Sequence, residues 1–180
     1  MSYKIPIFLS YPKPFTSNQK KFIEKITSYL DAKGFMGRTL GVTDYDMQEP
    51  LNAIRRLMLE CNGIITIALK RHYIEQGESK PNSDLNEPAT TLSHKWLTSP
   101  YCQIEPAMAF QIGLPILVFR EKDVLAEGLL ERGAMGTYMP EFDISDPLYL
   151  ESDEFKQIFG RWEGFVRQVV EYKGKPPKLY

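Results

Sequence analysis

An excess of charge of either sign is missing from this chain of 180 residues: 22 Lys and Arg stand against 23 Asp and Glu, a formal net charge of −1. A general nucleic-acid binder would carry a basic footprint, so this balance argues against one. Cysteine is scarce as well. Cys61 and Cys102 lie in apolar contexts and give neither a disulfide framework nor a metal-ligand spacing, which points to a reducing compartment, the cytoplasm. His72 and His94 show no ligand spacing, so no metal is expected. No apolar run approaches the ~18 residues of a membrane-spanning helix. The opening "MSYKIPIFLSYPKP" has too short an apolar stretch for a signal-peptide core, and no small-residue cleavage site follows it. There is also no G-x-G-x-x-G after the first strand and no phosphate loop, which argues against a redox dinucleotide enzyme or a nucleoside triphosphatase.

What is present is an ordinary globular composition, 43% hydrophobic and 25% charged. One domain is expected over residues 1–172, with the basic, proline-bearing "KGKPPKLY" (173–180) as a flexible tail. "KIPIFLSY" (4–11), stopped by "PKP", reads as a buried strand. Phe22, Ile23, Ile26, Tyr29 and Leu30 then fall on one helical face, with Thr16 and Gln19 placed for a capping box and Gly34 for the helix end. "FMGRTLGV" (35–42) is a weaker strand, and "TDYDMQEP" (43–50) a loop into a helix whose buried stripe is Leu51, Ile54, Leu57 and Met58. "GIITIAL" (63–69), "PILVF" (115–119) and "MGTYMPEF" (135–142) supply three more strands. A last helix is patterned by Phe155, Ile158, Phe159, Trp162, Phe165, Val166 and Val169.

Strands alternating with helices predict an α/β fold: a flavodoxin-like three-layer sandwich with a five-stranded parallel sheet in the order 2-1-3-4-5 and helices on both faces. Such sheets bind ligands outside the carboxyl ends of their strands, near the switch in strand order. "SYPK" after the first strand and the loop after "GIITIALK" both emerge at that edge. Residues 71–99 are polar and rich in turn formers, a long loop or insertion read either as disordered surface or as a lid over the site. Directly after it, Glu105 sits between a helix start at Ser99 and an apolar run. With Ser99 as cap and Pro100 in the first turn, Tyr101 and Glu105 share a helix face. Pro106 disfavours helical geometry at Glu105, so a kink or restart is expected there. From position alone, Glu105 reads either as a solvated first-turn carboxylate or as a functional one.

"IPIFLSY" and "SPYCQIE" (99–105) resemble the Toll/interleukin-1 receptor (TIR) family, whose first strand commonly ends in Ser-Tyr and whose Ser-x-Trp-Cys-x-x-Glu motif is met here with Tyr101 in the tryptophan position. The resemblance covers residues 4 to 170, although the loop "GVTDYDMQEP" (41–50) lacks the glycine usual near its middle. It implies a stand-alone bacterial type, as in Thoeris antiphage defence. The implied activity is an NAD+ glycohydrolase or ADP-ribosyl cyclase that cuts the nicotinamide–ribose bond, with NAD+ as substrate and no cofactor. Glu105 would be catalytic. Tyr101 would stack on nicotinamide and Lys13 would meet the pyrophosphate. Ser10, Tyr11 and Ser99 would line the same edge, with Arg38 as a further cation. The partners implied are other copies of the chain, in a homo-oligomer or TIR–TIR assembly, and a separate effector that senses the product. No nucleic-acid or membrane partner is implied.

Two other readings fit. "EPAMAFQIGLPILVF" (105–119) echoes nucleoside 2-deoxyribosyltransferases, which use a helix-start glutamate as nucleophile, although no acid for a neutral leaving base is evident. A non-catalytic TIR interaction module would leave Glu105 idle.

Overall fold

A computed structural model describes residues 3–45, 49–131, 134 and 140–173. Strand β1 (Ile5–Ser10) leads into helix α1 (Ser17–Ala32). Thr16 Oγ1 accepts the N–H of Gln19 at 3.2 Å, as the expected capping box requires, but Gln19 Oε1 accepts the N–H of Phe15 at 3.0 Å, one residue before the cap, instead of that of Thr16. Gly34, at φ +81°, turns the chain out of α1 into β2 (Phe35–Arg38). β2 is shorter than the run 35–42 suggests. From Thr39 the chain coils into a tight turn, with Thr39 O accepting from Val42, Thr43 and Asp44. Helix α2 (Pro50–Glu60) buries Ala53, Ile54, Leu57 and Met58, while Leu51 in its first turn is exposed. Strand β3 (Ile64–Ala68) is buried throughout.

After the segment 71–99 come α3 (Tyr101–Gln111), β8 (Ile116–Glu121), β9 (Glu141–Phe142) and α4 (Asp153–Tyr172). Of the strand expected at 135–142, residues 135–139 lie outside the described residues, as do 46–48 of the 41–50 loop and 174–180 of the tail.

The main sheet runs β2-β1-β3-β8-β9, every pair parallel, which is the expected 2-1-3-4-5 order of the sheet-forming strands. Alternation along each strand divides the core in two. Ile7, Leu9, Ile65, Ile67, Leu117 and Phe119 pack with the apolar stripes of α1 and α4. Phe8 and Ile64 pack with Ile54, Leu57 and Met58 of α2 and Ala109 of α3, and Ala68 and Val118 pack with Cys102 of α3. The molecule is therefore an α/β sandwich with helices on both faces.

Residues 71–99 depart from the long-loop reading. They form an arm of two small antiparallel ladders, β4 (His72–Ile74) with β7 (Lys95–Leu97) and β5 (Glu78–Ser79) with β6 (Thr90–Thr91). Side-chain contact replaces burial here. The Tyr73 and Trp96 rings meet across the ladder, tilted at 46° with centroids 4.9 Å apart, and Tyr73 Oη meets His94 Nδ1 at 2.6 Å. The root of the arm is fastened by Arg71 N–H to Leu97 O and by reciprocal backbone bonds linking Trp96 with Asp123 and Leu125.

Candidate functional site

A cleft of about 270 Å³ opens at the carboxyl end of β1, the strand at which the order of the sheet reverses. Ser10 ends β1 at its floor, and Tyr11 and Lys13 follow on one wall. Thr39 and Leu40 enter from the turn after β2, Pro50 and Ile54 from α2, and Arg71 from the arm root. Ser99, Tyr101 and Glu105 come from the start of α3.

α3 delivers its residues as the cap chemistry predicts. Ser99 Oγ accepts the N–H of Tyr101 at 3.3 Å, Ser99 O accepts that of Cys102 at 2.9 Å, and Pro100 adopts helical angles. Tyr101 and Glu105, one turn apart, both line the cleft. The helix does not restart at Pro106: α3 runs continuously from Tyr101 to Gln111 through it, although its ring nitrogen lacks the hydrogen it would give to the carbonyl of Cys102. Burial of Cys102, Glu105, Pro106 and Ala109 along one side holds the helix across that gap.

Glu105 is only 8% exposed and has no ion-pair partner among the described residues. It is thus a buried carboxyl, and the solvated first-turn alternative falls. Loss of water raises its pKa from 4.5 to about 7. The neighbouring Ser10 hydroxyl opposes that rise, although it makes no hydrogen bond of ordinary geometry. Among the described residues Ser10 Oγ is buried without a hydrogen-bond partner, and so is Thr66 Oγ1, on the residue paired with Ser10 in the sheet. Buried hydroxyls left unpaired are costly, and this one lies on the cleft floor. Cys102 lies beneath, within sulfur hydrogen-bond reach of Ile67 O, and burial pushes its thiol up to about 12. A thiol so protonated is not a nucleophile.

Six of the seven residues expected at the site come together: Ser10, Tyr11, Lys13, Ser99, Tyr101 and Glu105. Arg38 does not. Its guanidinium bonds the Asp44 carboxylate and reaches Glu60 at 2.6 Å, which braces the turn after β2 and holds Asp44 below the usual carboxylate range. Two acids satisfy the cation, which is not among the residues that line the cleft. Missed from the sequence were Thr39, whose hydroxyl donates to Leu9 O at 2.9 Å, and Arg71. A signal for Arg71 was present, since "LKRH" places a cation at the carboxyl end of the third strand. Among the described residues no group of His, Cys, Asp and Glu is arranged to hold a metal, and no helix is long and apolar enough to cross a membrane.

No family model and no curated protein matches this chain. Solved structures similar to it include the Clostridium botulinum CMP N-glycosidase BcmB, 15% identical, covering 93% of this chain and 98% of that one with a TM-score of 0.46. The TIR domains of the activated Roq1 resistosome recognising the effector XopQ are 12% identical, with 95% and 86% covered and a TM-score of 0.41. The E. coli constitutive lysine decarboxylase is 10% identical, with 98% of this chain but 21% of that one covered and a TM-score of 0.44. Likeness at this level carries no inference about activity.

Proposed function

We propose that this chain cleaves the nicotinamide–ribose bond of NAD+ at Glu105. The observation that carries the reading is a buried carboxyl with no cationic partner, set in a cleft at the switch point of a parallel sheet. As the C1′–N bond breaks, its electron pair returns to the pyridinium nitrogen and nicotinamide leaves neutral, without an acid. Positive charge moves onto the ribose. An ionised Glu105 faces that charge, and its own burial makes the attraction stronger than it would be in water. Water then adds at C1′ and loses its proton, giving ADP-ribose, or an internal hydroxyl adds to give a cyclic product. Tyr101 offers an exposed ring to stack on nicotinamide, and the unpaired Ser10 hydroxyl offers a ribose hydroxyl a partner.

The TIR-like motif "SPYCQIE" supports this assignment. The same reading makes the product a signal for a separate effector in antiphage defence, with copies of the chain acting as an assembly in the cytoplasm. Its test is nicotinamide release from NAD+ by concentrated protein, wild type against Glu105→Ala and Glu105→Gln. Loss of the carboxylate should lower the rate about a hundredfold or more. No release by the wild type would favour the non-catalytic TIR module.

One observation favours a second reading, an N-glycosidase or 2-deoxyribosyltransferase acting on a neutral nucleobase. With its pKa at about 7, Glu105 is partly protonated at neutral pH and could give a departing base its proton. The pH dependence separates the two. Cleavage of NAD+ needs the carboxylate, so kcat/KM should rise through pH ~7 to a plateau. Loss of a neutral base assisted by the acid form would make kcat/KM fall over the same range.

A further inference from the structure

Lys13 and Arg71 stand on the cleft lining, from the loop after β1 and from the arm root. Both are exposed, and neither side chain has a hydrogen-bond or ion-pair partner among the described residues. That sets them apart from neighbouring cations. Lys70 reaches Asp123 at 3.3 Å and lies 5.9 Å from the Trp96 ring, Arg38 is held by two acids, and Arg120 bonds Glu141. Two free cations of the same sign facing one small cleft repel each other, and an anion between them relieves that repulsion. Among the described residues no acid lines the cleft except Glu105, which is buried deeper, beside Ser10.

The backbone bond from Arg71 N–H to Leu97 O fixes where the arginine leaves the arm. A planar guanidinium at such a point can take two oxygens of one phosphate, where a lysine offers a single mobile charge.

We propose that Arg71, with Lys13 on the same cleft lining, is the phosphate-recognising group of this cleft and makes it favour phosphorylated nucleosides over unphosphorylated ones. Glu105 then takes the glycosidic carbon while Arg71 holds the 5′-phosphate ester, whether that belongs to a dinucleotide pyrophosphate or to a mononucleotide. The inference rests on the glycosidic reading for its substrate, but not for its anion.

The experiment has two arms. In the first, nicotinamide release is measured from NAD+, nicotinamide mononucleotide and nicotinamide riboside, which lacks the phosphate. Arg71→Ala should raise KM for both phosphorylated substrates by about tenfold or more, with Arg71→Lys recovering part of the loss and KM for the riboside unmoved. An effect on NAD+ alone assigns Arg71 to the pyrophosphate, and an effect on both to the 5′-phosphate. An equal effect on the riboside overturns the proposal. In the second arm, inorganic pyrophosphate is titrated calorimetrically into wild type, Arg71→Ala, Lys13→Ala and Arg161→Ala, the last removing a cation on α4. Binding weakened by Arg71→Ala and Lys13→Ala but not by Arg161→Ala supports the site. Absent binding, or equal loss in all three variants, overturns it. If no substrate releases nicotinamide, the glycosidic reading fails and the titration still decides Arg71.

Discussion

Glu105 is a carboxyl that the fold holds at a cost. Its pKa of about 7 in the folded chain, against 4.5 without burial, means that the folded state binds more protons between those values. Stability from this group is therefore fully present below pH ~4.5 and is lost as pH rises through ~7. Glu105→Gln removes the penalty, so at pH 8 the variant should be more stable than wild type by up to about 3 kcal/mol. That difference should shrink to nothing by pH ~4.5 in denaturant titrations, while activity is lost at every pH. Ser10 acts on the same carboxyl from below. Its hydroxyl lowers the pKa of Glu105, so Ser10→Ala should move the rising limb of kcat/KM to higher pH. At pH below 4.5, where Glu105 is protonated, the variant should be no less stable than wild type, since the buried hydroxyl it removes is unsatisfied. Glu105 and its six-residue lead-in were legible in the sequence because capping, helical spacing and motif all converge on one turn. Arg38 was not. Its fate is decided by Glu60, 22 residues along, and by Asp44 across a tight turn, and no local pattern shows that three such side chains meet.

At the scale of elements, the main sheet was legible because β1, β3 and β8 are apolar enough to be buried on both faces. The arm was not, because its strands are two or three residues long and show neither alternation nor a hydrophobic run. What holds it is Trp96, flanked by Tyr73 at 4.9 Å, Phe15 at 6.5 Å and Lys70 at 5.9 Å. Trp96→Ala should loosen the arm while leaving the sheet intact. Limited proteolysis should then cut between 75 and 93 faster than in wild type, with unchanged hydrogen-exchange protection in β3 and β8. Because Arg71 hangs from the arm root, the phosphate site proposed above predicts that KM for phosphorylated substrates rises as well. Unaltered cleavage in the arm would mean that backbone bonds to Asp123 and Leu125 suffice to hold it.

Across the whole molecule, the cleft draws on residues 8–13, 39–40, 50–54, 71 and 99–105, five separate stretches of chain. They meet because β1 pairs in parallel with β2 on one side and β3 on the other. Parallel neighbours are joined by crossovers, not hairpins, so each contact closes a long loop before it stabilises anything. The order of events follows from that. Helices α1 and α4 carry strong local caps and can form early, whereas Ser10, Arg71 and Glu105 cannot meet until the central strands have docked. After dilution from denaturant, helical circular dichroism should return first and, on the proposed reading, nicotinamide release last, in step with the slowest phase of sheet formation. A chain still emerging from the ribosome, or one cut anywhere before residue 105, would not hold the assembled cleft, so whatever that cleft does, a cell making this protein meets it only as a finished fold.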